Sequence, residues 1–394
     1  MARIKQGITF LLENSMFLIA GTMLALFMAN YSNYSSHSYH EIIHHTVTGK
    51  INFHFIVNDI LMCFFFALAA KEIWESLLPG GALSSAKKAA TPLLATAGGI
   101  LGPAGLYILG TTLFNASELT RGWAIPCATD IAFSYLAARL IFGKDHPAIP
   151  FLLLLAIADD AAGLIILAVA YPTGTMNLLL FFSCVIGAIL FNIFILQKIF
   201  KVNSFWFYII FAGPVSWYGF YMGGIHPALA LVPIVPTIPY KLNKKKSYFD
   251  GAEDKYHHDP LNTFEHWWKN PVELILMLFG FANAGVAFGS IGLGTWLVTG
   301  GLLIGKPIGI VLFTFIACSL LKLEMPKGMN YKDITVIGFL AGIGFTVALF
   351  VATVAFPSGK SLDAAKMGAL FSFFAAFISF FVAYLLRVGR FKEV

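Results

Sequence analysis

Charge is what this sequence has least of. Of its 394 residues only 12% are Asp, Glu, Lys or Arg, about half of the roughly 25% found in soluble domains. With 58% hydrophobic residues and 39 phenylalanines, no soluble core could absorb so much apolar surface. Cysteine is scarce too. Cys63, Cys127, Cys184 and Cys318 lie far apart, each inside an apolar segment. They make no metal-type spacing and read as small buried hydrophobes. The N-terminal stretch MARIKQGITFLLENSMFLIAGTMLALFMANYS has basic residues and then an apolar run, but lacks a small-residue cleavage site to close it. It reads as a first membrane helix rather than a removed leader.

What is present is a succession of apolar runs of about 20 residues, the length that spans a bilayer core. Polar breaks divide them into twelve expected spans, near residues 10–31, 55–78, 90–114, 122–143, 148–171, 176–200, 204–222, 223–239, 271–290, 292–321, 332–356 and 364–387. The seventh and eighth are separated by no clear loop. An even count puts both termini on one side. If that side is the cytoplasm, Lys50, Arg121, Lys360 and Lys366 fall outside and Lys306 falls within a span. All the rest of the 26 basic residues then face the cytoplasm. That asymmetry follows the positive-inside rule and accounts for the net charge of +6 without invoking an anionic partner. The expectation is an all-α polytopic membrane protein, one transmembrane domain over residues 1–394, in a plasma membrane. Residues 32–54, around Gly49, read as a small external β-hairpin. Residues 240–270 read as a long cytoplasmic loop, too short for a domain.

A charged side chain at the middle of a bilayer costs roughly 2.5–3.5 kcal/mol on insertion scales and survives when paired or beside a water-filled path. Five residues stand there: Asp59, Asp130, Asp159, Asp160 and Lys306. Asp159 and Asp160 sit mid-span in FLLLLAIADDAAGLIILAVAY. Neighbours on a helix point about 100° apart, so the two cannot face one partner alike. One suits an ion path and the other a counter-charge on a nearby helix. Burial and a neighbouring carboxylate both favour the neutral acid, and an acid tuned in this way holds either a proton or a cation. The competing reading is a buried salt-bridge network with no transport role. Asp130 follows Pro126, which removes a backbone donor and disfavours helix at Cys127. Freed carbonyls and the Thr129 hydroxyl can then coordinate a cation or cap a half-helix, and Asp130 would offset the positive end of the helix that follows. A Pro kink satisfied by its neighbours is the plainer alternative. Lys306, just before Pro307, can neutralise a carboxylate or the negative end of a broken helix. The glycines Gly338, Gly342 and Gly344 before Thr346 suggest a second interruption, in span eleven, matching the one in span four. Two interrupted segments in corresponding halves point to a binding site.

These stretches resemble the NhaA family of sodium/proton antiporters, itself one of the cases from which the rule on interrupted helices was drawn. The matching segments are VNDILMCFFFALAAKEI, AIPCATDIAF, AIADDAAG, GGIHPALA, FGFANAGVAF, GGLLIGKPIGI and AGIGFTVALF, in family order from residue 57 to 350. The resemblance implies inverted repeats, two crossed interrupted helices (spans four and eleven), and electrogenic exchange of sodium or lithium for protons without a cofactor. It implies Asp160 as ion and proton carrier, Asp159 paired to Lys306 in the empty site, and Asp130 with Thr129 at the helix crossing. Asp59 takes a supporting role, and Glu72, Glu265 and His226 match positions linked to pH response. A homodimer through the external hairpin, both termini cytoplasmic and a bacterial inner membrane complete what it implies. DDAAG departs from the family's usual large aliphatic residue after the aspartate pair, and the Lys- and His-rich cytoplasmic loop is unusually long. The first leaves the carboxylates in place; the second bears on the pH dependence.

Two other readings compete. A cation channel would need rings of charge or carbonyls, whereas this chain offers one asymmetric cluster. His40-Glu41-Ile42-Ile43-His44 reads HExxH, the zinc-protease signature. That motif needs a helix and a third ligand, and the hairpin expected here would deny it the helix.

Overall fold

The computed structural model describes residues 15–46, 51–84, 86–240 and 259–392. Among these the regular elements are helical and no β-strand occurs. In chain order they are α1 (Met16–Tyr31), α2 (Asn33–His44), α3 (Phe53–Leu77), α4 (Ala86–Leu113), a 3₁₀ segment (Ser117–Cys127) continuing into α5 (Ile131–Phe142), α6 (Ala148–Ala170), α7 (Leu178–Ile199) and α8 (residues 205–223). After two 3₁₀ turns follow α9 (Pro260–Asn283), α10 (Leu293–Leu320), α11 (Tyr331–Ala341), α12 (Phe345–Ala355), α13 (Lys360–Phe371) and α14 (Phe374–Leu386).

Among the described residues, six helices are long and apolar enough to cross a membrane, or eight spans when each of two bent pairs counts as one. They correspond to the expected spans two to six and ten to twelve. The other four differ from the twelve-helix expectation for local reasons. α1 is apolar, but its described length is 16 residues. α8 is interrupted by the π-helical turn Tyr208–Ala212. α9 begins inside the expected cytoplasmic loop, where Asp259 accepts from the Asn262 amide at 2.8 Å and caps it. The expected eighth span is not a helix. Pro227, Pro233, Pro236 and Pro239 remove backbone donors every few residues, and the chain takes the 3₁₀ turns Pro227–Leu229 and Val235–Thr237 instead. The basic stretch 241–258 lies outside the described residues.

The expected hairpin is also replaced. Ser32 accepts from the Ser35 amide at 3.1 Å and starts α2. Tyr39 and Ile43, four apart, then share one buried helical face, and the Tyr39 hydroxyl donates to the Phe281 carbonyl at 2.7 Å. A face four residues wide rewards helix over strand alternation. Residues 47–50, which would hold the hairpin turn, lie outside the described residues.

Packing divides the helices into two groups. α4, the 3₁₀ segment, α5, α6 and α10–α14 pack on one another; α1–α3 and α7–α9 form the second group. The groups meet where α3 lies on α6 and where α9 lies on α12. Within the first group α4 and α10 touch backbone to backbone. A Cβ on Gly98 would fall 2.1 Å from the Gly309 carbonyl oxygen, and one on Gly102 2.3 Å from that of Gly305. Small residues four apart on facing helices give this close approach, and it fixes the height of Lys306, next to Gly305.

Candidate functional site

The two bent pairs create the site. The 3₁₀ segment and α5 meet at 52°, and α11 and α12 at 50°. Pro126 ends the first half-helix, leaving Ala128 to Asp130 extended. Gly342 to Gly344 interrupt the second, where a Cβ on Gly344 would lie 2.9 Å from the Ala128 carbonyl oxygen. The two breaks face each other: the Asp130 amide donates to the Ile343 carbonyl at 2.6 Å.

Each break exposes helix ends with opposite partial charges. Asp130 serves two positive ends. Its Oδ1 accepts from the Phe133 amide of α5 at 3.4 Å. Its Oδ2 accepts from the Thr346 amide of α12 at 3.2 Å and from the Thr346 hydroxyl. Lys306 serves a negative end, donating to the Cys127 carbonyl that closes the 3₁₀ segment. Its second partner is Asp159 Oδ2, 2.8 Å away. Thr129 lies across both breaks, its hydroxyl 2.8 Å from Asp159 Oδ2 and 3.0 Å from the Ala341 carbonyl. Asp130, Thr129, Asp159 and Lys306 are all buried, Lys306 with no exposed surface.

Asp160 is different. It shares the helix with Asp159, yet its Oδ1 is buried without a hydrogen-bond partner among the described residues. Both aspartates border a narrow cavity between the two helix groups, lined by Phe65, Phe66 and Ala69 of α3 and by Ala128, Gly163 and Val347 of the other group. Side by side on α6 are one carboxylate held at its Oδ2 by Lys306 and Thr129 and one with an oxygen open to an incoming cation or proton.

Of the remaining predicted residues, Glu72 of α3 interacts electrostatically with Asp160, and the others lie apart from this cluster. Asp59 stands in the π-helical turn Ile56–Leu61 of α3; its carbonyl accepts from Trp217 Nε1 at 2.8 Å. Glu72 is at the far end of α3. Glu265 pairs with Lys71, which also meets Glu75 at 2.7 Å. His226 is buried, caps the turn Pro227–Leu229 through its Nδ1, 3.3 Å from the Ala228 amide, and packs edge-on against Phe350 of α12. Sequence reasoning passed over Lys71, although a lysine in an apolar run was the signal used for Lys306. The HExxH motif does lie on a helix, against expectation, with the His40 and His44 rings stacked at 6.1 Å. Among the described residues, no three His, Cys, Asp or Glu are placed to hold a metal ion, so the third ligand is missing.

The Na+/H+ antiporter 1 family matches residues 11–386. This chain belongs to that family. The Na+/H+ antiporter NhaA of Jannaschia sp. strain CCS1 is 48% identical over 416 residues, covering 97% of this chain and 98% of its own. That of Geotalea uraniireducens strain Rf4 is 47% identical over 383 residues, with 97% of each chain covered. Among solved structures, the sodium proton antiporter MjNhaP1 of Methanocaldococcus jannaschii aligns over 93% of this chain and 89% of its own, at 11% identity and a TM-score of 0.49. In this chain small residues follow the aspartate pair in DDAAG. Of these, Gly163 borders the cavity beside Asp160.

Proposed function

We propose that this chain exchanges sodium or lithium ions for protons across a bacterial inner membrane, by competition of cation and protons for the carboxylates of Asp159 and Asp160. The observation that carries the reading is the inequality of the pair. Asp159 is held by Lys306 and Thr129, while Asp160 has a free oxygen beside the cavity. In the empty state Lys306 balances Asp159 and Asp160 carries the proton. An arriving sodium ion takes Asp160 as that residue's proton leaves, then draws Asp159 away from Lys306, which gives up the second proton. Because both cargoes need the same oxygens, neither crosses without exchange. Asp130 and Thr129 hold the broken helices together during this change, since both bind across the two breaks. The cavity lies between the helix groups, so movement of one group against the other would open it to either side in turn.

The charge asymmetry supports cytoplasmic termini, which puts α2 and the α3 end near His54 outside. A second copy is proposed to meet this one on the α2 side, where Tyr31, Tyr34 and Ile42 stand exposed. Asp59, Glu72, Glu265 and His226 are read as supporting or pH-responsive groups. Release of more protons than sodium ions bound would make the cycle electrogenic.

The test is sodium-driven collapse of a proton gradient in inside-out vesicles. Wild type should dissipate it on sodium addition and Asp160→Asn should not. Equal collapse in both would refute the assignment.

A further inference from the structure

At the end of α3 opposite Lys71 lies a second buried polar network, made of neutral groups. Asn58 and Asn283 join α3 to α9 by two reciprocal bonds. Asn58 Nδ2 donates to Asn283 Oδ1 at 3.0 Å, and Asn283 Nδ2 donates to Asn58 Oδ1 at 2.8 Å. Each amide has one hydrogen left. That of Asn283 goes to the Phe279 carbonyl at 3.0 Å. That of Asn58 points at His54 Nε2, also 3.0 Å away. Both asparagines are buried, Asn58 2% exposed and Asn283 not at all.

The main-chain carbonyl of Phe279 fixes this whole chain of bonds. It only accepts, so the Asn283 atom beside it is nitrogen. The facing Asn58 atom is then oxygen, and the Asn58 atom beside His54 is nitrogen. His54 Nε2 must therefore accept, which only a neutral imidazole protonated at Nδ1 does. A proton on Nε2 sets N–H against N–H. Turning Asn58 to relieve this sets it against Asn283, and turning Asn283 sets oxygen against the Phe279 carbonyl. The one acceptor left to a proton on Nε2 is Asn283 Oδ1, which Asn58 already occupies, so protonation loses the Asn58–His54 bond.

His54 is also where a proton would arrive. Its ring stands 6.0 Å from that of His44, and His44 stands 6.1 Å from His40 on the exposed face of α2. Burial pushes His44 below the ordinary imidazole range, with His40 and Lys366 adding to the effect. The ionisable groups facing His54 are His44 of α2, Lys366 of α13 and His226 before the Pro227 turn, with Asp59 on its own helix. Lys366 belongs to the other helix group. A charge on His54 therefore repels across the boundary between the groups as it breaks the bonds that hold α3 to α9.

We propose that His54 is a proton-operated latch on the outer end of the α3–α9 contact, closed by the Asn58–Asn283 pair when neutral and released by protonation from outside. His54 is a positioning residue, not a carrier. Its release frees α3 from α9 at the outer end, where external protons would load, and the charge repels Lys366 of the other helix group. The inference rests on the exchange reading and on the proposed orientation.

Sodium-loaded, right-side-out proteoliposomes of the full chain test it. With the internal pH fixed and the external pH stepped from about 8.5 to about 4.5, below the ordinary imidazole range because the lost hydrogen bond and the facing cations disfavour the charge, sodium efflux is measured. Mass action of the external proton is common to every variant, so the acid-to-alkaline rate ratio isolates the latch. His54→Gln keeps an oxygen acceptor for Asn58 but cannot protonate. It should match wild type within about twofold at alkaline external pH, and its ratio should fall about tenfold below that of wild type, as expected when buried hydrogen bonds no longer depend on pH. Asn283→Leu, which frees Asn58 to turn, should flatten the ratio similarly by another route. A wild-type ratio in either variant overturns the latch. So does His54→Gln failing at both pH values, which would make His54 a packing residue. Absence of sodium-dependent proton movement in wild type would instead defeat the exchange reading.

Discussion

Lys306 and Lys71 are both buried lysines paired with carboxylates, but they sit in different surroundings. Lys306 is wholly enclosed and faces one carboxylate, Asp159, whose side chain is 2% exposed. Lys71, at the end of α3, faces two, and both reach water: Glu75 is 17% exposed and Glu265 41%. At the helix crossing nothing can replace a lost partner except another protein group or the transported ion. At the α3 end water can. Location, more than the number of partners, should therefore decide what each pair is worth, and the same feature suits the crossing to a cargo that must substitute for a side chain.

The largest effect follows from breaking the enclosed pair. Lys306→Met leaves Asp159 buried beside Thr129 with no cation. Removing one partner of a buried pair costs about 3–5 kcal/mol, so the apparent melting temperature in detergent should drop sharply. Adding Asp159→Asn removes the stranded charge and should return most of the loss, while exchange stays absent. A double variant no more stable than Lys306→Met would show that the lysine acts by packing alone. Asp130→Ala comes next. It leaves the first turns of α5 and α12 without their shared acceptor, a loss of about 1–2 kcal/mol by capping and helix-dipole effects. Asp130→Asn, which retains an acceptor oxygen, should lose about half as much by the same reasoning. If both variants melt alike, the charge matters and the cap does not.

Much of this site was legible because a charge in an apolar run is a strong contrast. Asp130, Asp159, Asp160 and Lys306 needed no geometry to be singled out, and Pro126 marked the first break. The choice between Asp159 and Asp160 was only half legible. A 100° separation says that the two differ, but which one meets Lys306 depends on the Gly98–Gly309 and Gly102–Gly305 contacts that set the height of α10. The fold was less legible where apolar length and backbone donors disagree. Residues 223–239 are apolar enough for a span, yet their prolines deny them a helix. α2 is polar enough for a loop, yet Ser32, Tyr39 and Ile43 make it helical. The latch was invisible for another reason. Asn58, His54 and Asn283 are ordinary in sequence, and only the direction of each hydrogen bond ties them into one network.

The smallest effects should come from the hydrated pair. Lys71→Met leaves Glu75 and Glu265 facing the same gap, but both keep water and can move apart. The expected loss is about 1 kcal/mol, at the upper end for solvent-reached ion pairs. Glu265→Gln in that background should recover part of it by removing the repulsion. Glu75→Gln alone should cost less still, because Lys71 retains Glu265 and a one-turn helical pair of this kind is worth about 0.3–0.5 kcal/mol. Raised choline chloride, whose cation is not the transported one, should shrink both losses, since these carboxylates are screened, and leave the Lys306→Met loss unchanged, since only the transported ion reaches Asp159. Melting curves of Lys71→Met and Lys306→Met at low and high ionic strength therefore separate the two regions directly. An equal salt response would mean that the crossing is as open to water as the end of α3.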